Sequence, residues 1–246
     1  MLATIDAPRE VIDQCVRDQG RAIKEQNYSI EERLRNWLEE HVVHETQSPR
    51  VLPFLETPLS VDAPEAGLPG PDAPLPVIKP CCLRKDSLSV SEVMIEPLVR
   101  KHDFFESLYN PTGMFTHYLI DNQDKLTVTD MVTGLVWQRG GSGYVSRRKL
   151  FDYVAEMNSK KFAGFDDWRL PTIEEALSIL RCGKKTVDFY LAECFTREQG
   201  YIYTADRRSP GGYWFVDFRQ ARVYWASGSC FSGGFERLCR SIHELA

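Results

Sequence analysis

Two apolar stripes with helical spacing open the chain. Val11, Ile12, Cys15, Val16 and Ile23 lie on one, and Ile30, Leu34, Trp37, Leu38 and His41 on the other. Asp6 with Pro8 behind it starts the first, because a proline in the first turn lacks only an amide that would go unpaired anyway. Ser29-Ile30-Glu31-Glu32 starts the second as a capping box: the hydroxyl takes the amide three residues on and the glutamate reaches back. Residues 1–48 are therefore expected to form a helical hairpin. Two helices alone cannot bury both stripes, so the pair is expected to dock on the rest of the chain, on a second copy or on a partner.

The periodicity then breaks. Nine of the 14 prolines fall in residues 49–80. Each removes a ladder donor and fixes the backbone near polyproline geometry. Val51, Leu52, Phe54, Leu55, Leu59, Leu68, Leu75, Val77 and Ile78 are interspersed, whereas a plain spacer would be more polar. This stretch reads as an extended arm that packs along its own domain or a neighbouring subunit. Residues 81–120 read as transitional. Leu88, Val93, Met94, Leu98 and Val99 fit a helix over 87–100 that Pro97 interrupts, and an aromatic-rich run from Phe104 to Tyr118 follows.

Residues 121–246 alternate short strand patterns with two helical ones, an α+β domain. Strands are expected at 126–130, 134–139, 200–205, 213–218, 221–227 and 235–242. One helix is expected over 146–158, with Leu150, Phe151, Val154 and Met157 inward. A second is expected from a capping box at Thr172-Ile173-Glu174-Glu175 to about Cys182.

Composition narrows the class. The 246 residues carry a formal net charge of -5, which argues against a nucleic-acid binder. No apolar run is long enough to span a bilayer, and no secretory signal is seen, so a cytoplasmic setting is expected. The seven cysteines include no CxxC pair and are expected to be free thiols, with no metal or cofactor. No GxSxG, phosphate loop or dinucleotide fingerprint occurs, and no catalytic residue is assigned.

The order of motifs in the second half carries a resemblance. Asp130-x-x-Thr133-Gly134-Leu135-Val136-Trp137-Gln138 is followed by Asp167-Trp168-Arg169-Leu170-Pro171-Thr172. Then come Trp214-Phe215-Val216-Asp217-Phe218 and a terminal Arg237-Leu238-Cys239-Arg240. This resembles the DUF1566 family, the C-terminal domain type of the Legionella collagen-like adhesin. The resemblance implies a C-type-lectin-like fold, with two helices on short antiparallel strands, also shared by the sulfatase-modifying-factor group. Trp137, Trp168, Arg169, Leu170, Pro171, Asp217 and Cys239 read as its structural signature. Arg169 is expected to seek a carboxylate, at Asp130, Asp166 or Asp217, that pins an irregular loop.

Three functions compete. The first is a non-catalytic binding or accessory subunit that engages a protein partner or a second copy through residues 1–80. Its binding candidates are Arg207, Arg208, Tyr213, Arg219, Arg222, Tyr224, Trp225 and Phe231, because Tyr, Trp and Arg make binding hot spots. The second is a formylglycine-generating type of copper oxidase using Cys230 and Cys239. The third is an adhesive or variable lectin-like module. Calcium-dependent sugar binding is disfavoured, since neither of the usual oxygen-rich triplets occurs.

Overall fold

A computed structural model describes residues 67–146, 149, 151–182, 189–227 and 233–242. The expected N-terminal hairpin, most of the proline-rich arm, the binding candidate Phe231 and the oxidase candidate Cys230 lie outside the described residues.

The strands are β1 (Ser89–Val90), β2 (Leu119–Asp121), β3 (Thr127–Asp130), β4 (Leu135–Gln138) and β5 (Val145–Ser146), then β6 (Tyr201–Arg208), β7 (Tyr213–Asp217), β8 (Arg222–Ala226), β9 (Gly233–Gly234) and β10 (Cys239–Ser241). The helices are α1 (Ile95–Lys101), α2 (Asp152–Ser159) and α3 (Ile173–Ser178). Short strands and few helices give the expected α+β class. One sheet runs β1-β6-β7-β8, a second runs β10-β4-β3-β2, and β5 pairs with β9. All pairings are antiparallel except β1 with β6. Among the described residues no helix is long and apolar enough to cross a membrane.

The two large sheets share one core. Strand alternation turns Trp214 and Val216 of β7 inward, where they meet Trp137 and Val128 of the second sheet and the buried side of α3. A smaller apolar layer of Val136, Trp168, Leu170 and Leu238 takes Tyr153, Val154 and Met157 of α2. The segment 81–120 contributes to the main core through Val90, Ile95, Val99, Phe104, Phe105 and Leu119.

The strand β1 occupies sequence that the periodicity assigns to a helix. Arg207 N–H donates to the Leu88 carbonyl and Ser209 N–H to the Val90 carbonyl. Pairing with β6 satisfies these amides and wins over a weak helical pattern. The helix α1 starts only at Ile95, so Pro97 falls in its first turn and interrupts nothing. Similarly α2 starts at Asp152, after the expected point. Phe151 then stands at the helix entry, 55% exposed rather than inward. The helix α3 keeps its capping box but ends at Ser178, four residues short of expectation.

The end of the arm is extended, without strand or helix. Ladder-like bonds hold it: Asp121 N–H to the Pro69 carbonyl at 2.9 Å, and Cys81 N–H to the Val132 carbonyl at 2.7 Å. Leu68 packs on the core, whereas Leu75 and Val77 stay in solvent. A buried ionic node fastens the next stretch. Arg84 holds both oxygens of Asp206 at 2.7 and 2.9 Å and meets Glu174 at 2.7 Å. Asp206 also accepts Leu88 N–H and Ile173 N–H.

Candidate functional site

The outward face of the first sheet is aromatic. Tyr213, Phe215 and Asp217 of β7 alternate away from the core, opposite Ala226, Tyr224 and Arg222 of β8. On β6, Tyr203 and Tyr201 stand opposite Phe215 and Asp217. The rings form a continuous layer. Phe215 stacks on Tyr224 at 5.7 Å between centroids, and Tyr201 approaches Phe215 and Phe235 at 5.4 Å each. Tyr203 meets Tyr213 edge-on at 6.0 Å, and Tyr144 meets Phe235 at 5.6 Å. Such edge-to-face geometry suits ring quadrupoles. Gly234 passes directly over Tyr201 and Tyr203; a Cβ there would overlap Tyr203. Burial raises the Tyr201 and Tyr224 hydroxyl pKa values above the usual range, so both stay protonated.

Arginines border this layer. The Arg207 guanidinium lies 4.3 Å from the Tyr213 ring centre and 5.5 Å from that of exposed Phe151. At the other border Arg222 lies 4.9 Å from the Tyr224 ring. The face thus has a buried aromatic centre and a half-exposed rim of Tyr213, Tyr224, Phe151 and two cations. A guanidinium over a ring is held electrostatically by the ring face, so these side chains are pre-ordered.

The expected binding residues divide. Arg207, Tyr213, Arg222 and Tyr224 come together on this face. Arg208 and Trp225 lie elsewhere: Arg208 stacks 3.5 Å from the Trp225 ring, pairs with Glu92 and donates to the Gly211 carbonyl at 2.9 Å. Arg219 sits on the Phe189 ring at 5.2 Å, at the turn after β7. Phe151, Phe215, Tyr201, Tyr144 and Phe235 join the face without having been singled out. The alternation of aromatic residues along β6 and β7 was the signal available for Tyr201 and Phe215.

The signature residues are interior. Trp137 and Trp168 are buried, and Asn158 brackets Trp168 by accepting its N–H at 2.7 Å and donating to its carbonyl at 2.9 Å. Leu170 fills the smaller apolar layer, and the Pro171 carbonyl accepts Ala205 N–H. Arg169, however, pairs with none of the three expected aspartates. Its two terminal nitrogens reach Glu175 at 2.7 and 2.6 Å. Glu175 is the capping-box glutamate, which also accepts Thr172 N–H at 2.9 Å. One buried carboxylate therefore serves cap and staple together. The aspartates are engaged otherwise. Asp130 takes Tyr118 N–H, Val132 N–H and the Thr133 hydroxyl. Asp217 takes Arg219 N–H and Gln220 N–H, and Asp166 faces Lys161 at 3.6 Å.

Burial holds three of the described thiols, Cys81, Cys194 and Cys239, in the protonated form. Cys239 is fully buried, with Sγ 3.6 Å from Arg169 and 3.8 Å from Glu175; burial and the Glu175 charge push its pKa well up. Burial pushes Cys194 up to about 12. Cys81 Sγ lies 3.6 Å from His102 Nδ1, but burial raises the thiol and lowers the imidazole, leaving both uncharged near neutrality. A thiolate is the nucleophilic form, so this pair is not a poised nucleophile. Among the described residues no three His, Cys, Asp or Glu side chains gather as a metal site.

Residues 126–238 match the family model of the Lcl C-terminal domain, which is the DUF1566-type family. No curated protein and no solved structure gives a match to the chain.

Proposed function

We propose that this protein is a non-catalytic binding or accessory subunit. Its C-terminal half serves as a C-type-lectin-like scaffold, and residues 1–80 engage a protein partner or a second copy in the cytoplasm. No role for nucleic acid or membrane is part of this reading. One observation carries it: the half-exposed aromatic rim with Arg207 held between Tyr213 and Phe151. Pre-ordered aromatic and arginine side chains lose little entropy on binding and make hot spots. Short curled antiparallel sheets bearing a few helices are compatible with the lectin-like scaffold. Full burial of Cys239 weighs against the copper-oxidase alternative, which needs an accessible thiolate.

Purification of the full chain from its own cells, with light scattering, tests the proposal. We expect a complex of defined stoichiometry that Phe151→Ala with Arg207→Ala weakens by about tenfold or more, as loss of a modest hot spot does. Both positions are exposed, so these variants keep the fold. A lone monomer, or a complex indifferent both to these changes and to removal of residues 1–66, overturns it.

A further inference from the structure

Behind the aromatic face, the helix-facing side of the second sheet ends in polar groups. Val136 of β4 and Leu238 pack beneath α2, alternation along β4 puts Gln138 on that same side, and Glu236, two residues before Leu238, lies near enough to Tyr153 of α2 to interact with it electrostatically. The Gln138 amide has a fixed orientation. Its Oε1 accepts Leu238 N–H at 3.1 Å and the Tyr153 hydroxyl at 3.2 Å, so Nε2 points the other way as a donor. That Nε2 is buried and has no acceptor. The Glu236 main chain is satisfied, since its N–H donates to the Ser142 hydroxyl and its carbonyl accepts Ser142 N–H. Its carboxyl is completely buried, yet neither oxygen has a hydrogen-bond partner. Buried polar atoms are nearly always bonded, and an orphan of this kind commonly marks an ordered water, an ion or a working group.

We propose that the Glu236 carboxyl, the Gln138 Nε2 and the Tyr153 hydroxyl line an internal site, between α2 and β4, that binds ordered water. The guest must accept a hydrogen from Gln138 and exchange hydrogen bonds with Glu236. Water does both. A cation leaves the Gln138 donor unsatisfied. Internal waters of this sort make about three hydrogen bonds each, which this polar set supplies.

Neighbouring charges reinforce the arrangement. On α2 the groups nearby are Asp152, Tyr153 and Glu156. The adjoining Arg237 turns to the opposite side, where it donates to the Arg139 and Thr196 carbonyls. Burial first, and then Asp152, push the Glu236 pKa up to about 8. The carboxyl is therefore a neutral acid at neutral pH and adds a donor to the site. Phe235, which packs on Tyr201 and Tyr144, is the next residue along, so the water stands immediately behind the candidate binding face.

A crystal structure of the full protein at atomic resolution and carboxyl-carbon NMR of labelled glutamate test this together. We expect density for water within hydrogen-bond distance of Glu236 and Gln138, and one carboxyl titrating near pH 8 that disappears in Glu236→Gln. Because the folded-state pKa lies above the unfolded one, this group's contribution to stability is full below about pH 4.3 and falls as pH rises towards 8. That fall is expected to vanish in Glu236→Gln. Should that variant not fold, the native titration and density still decide. Absence of water density beside Glu236 and Gln138, or a Glu236 that pairs directly with another side chain, overturns the site. Both outcomes leave the surface reading of the aromatic rim untouched.

Discussion

Replacing Arg169 by methionine strips Glu175 of its counter-charge while leaving the α3 cap in place. The Glu175 side chain is 2% exposed and that of Arg169 is 21% exposed. In Arg169→Met the carboxylate keeps the Thr172 amide and the weak Cys239 thiol contact at 3.8 Å, but no cation. Removing one member of a buried pair costs about 3–5 kcal/mol, and partial solvent access on the arginine side places this case near about 3 kcal/mol. Glu175→Leu loses the staple and also the reciprocal cap, a further ~1 kcal/mol. In the double variant no charge is left stranded, and methionine and leucine fill similar volume. Its cost is expected to approach that of the cap alone, about 1–2 kcal/mol. The cycle should therefore show a coupling of about 3 kcal/mol or more between the two positions. Urea unfolding reads it directly: with a slope of about 2 kcal/mol per molar, Arg169→Met lowers the midpoint by about 1.5 M, and the double variant recovers roughly one to two thirds of that. A midpoint within about 0.3 M of the native one, or a double variant costing the sum of the singles, refutes the staple.

Asp206→Asn removes the charge at the node joining Arg84, Leu88 and Ile173, and is expected to destabilise by about 2–4 kcal/mol, the scale of a broken buried pair. In hydrogen exchange, the Arg207 and Ser209 amides, which bond across to the segment bearing Leu88 and Val90, should lose protection before those of β7; uniform loss throughout the first sheet contradicts a local fastening role. Alkylation at pH 8 with peptide mapping should modify exposed Cys82 and Cys182 rapidly and leave buried Cys194 and Cys239 unmodified until the protein unfolds. Rapid modification of native Cys239 contradicts its packing role.

Much of the C-terminal half was legible because local rules agreed there. The Thr133-Gly134 turn between β3 and β4 gives Gly134 a left-handed φ of 66°, which glycine adopts without strain, and the capping box at Thr172 formed as its spacing demanded. What escaped was set by distant partners. Nothing local distinguishes Glu175, already used as a cap, from three aspartates as the mate of Arg169; only the folded loop brings it within 2.7 Å. The helical pattern from Leu88 to Val90 yielded to pairing with a strand more than a hundred residues away. Phe151 read as core because its spacing matched a helix that begins one residue after it. Alternation predicted which residues of β7 share a face. The expected strand ended at 205, so alternation was not extended to Arg207 and Arg208; β6 runs on to Arg208 and puts the two on opposite faces, Arg207 at the aromatic layer and Arg208 on Trp225.

The parallel contact of β1 with β6 constrains the order of events on the ribosome. Leu88 and Asp206 are 118 residues apart, and Val90 and Trp214 are 124 apart, so β1 emerges long before anything that pairs with it. At about 5–20 residues per second the wait is roughly 6–24 s. During that interval the carbonyls of Leu88 and Val90 stay with water and Arg84 has no Asp206 to grip. The sheet of β2, β3 and β4 is built from neighbours and can assemble first, whereas β1 joins as a late clasp once β6 has been made. Contacts that close such long loops are entropically the last to be rewarded. A chain stalled or cut before residue 206 would therefore carry Arg84 and β1 unfastened.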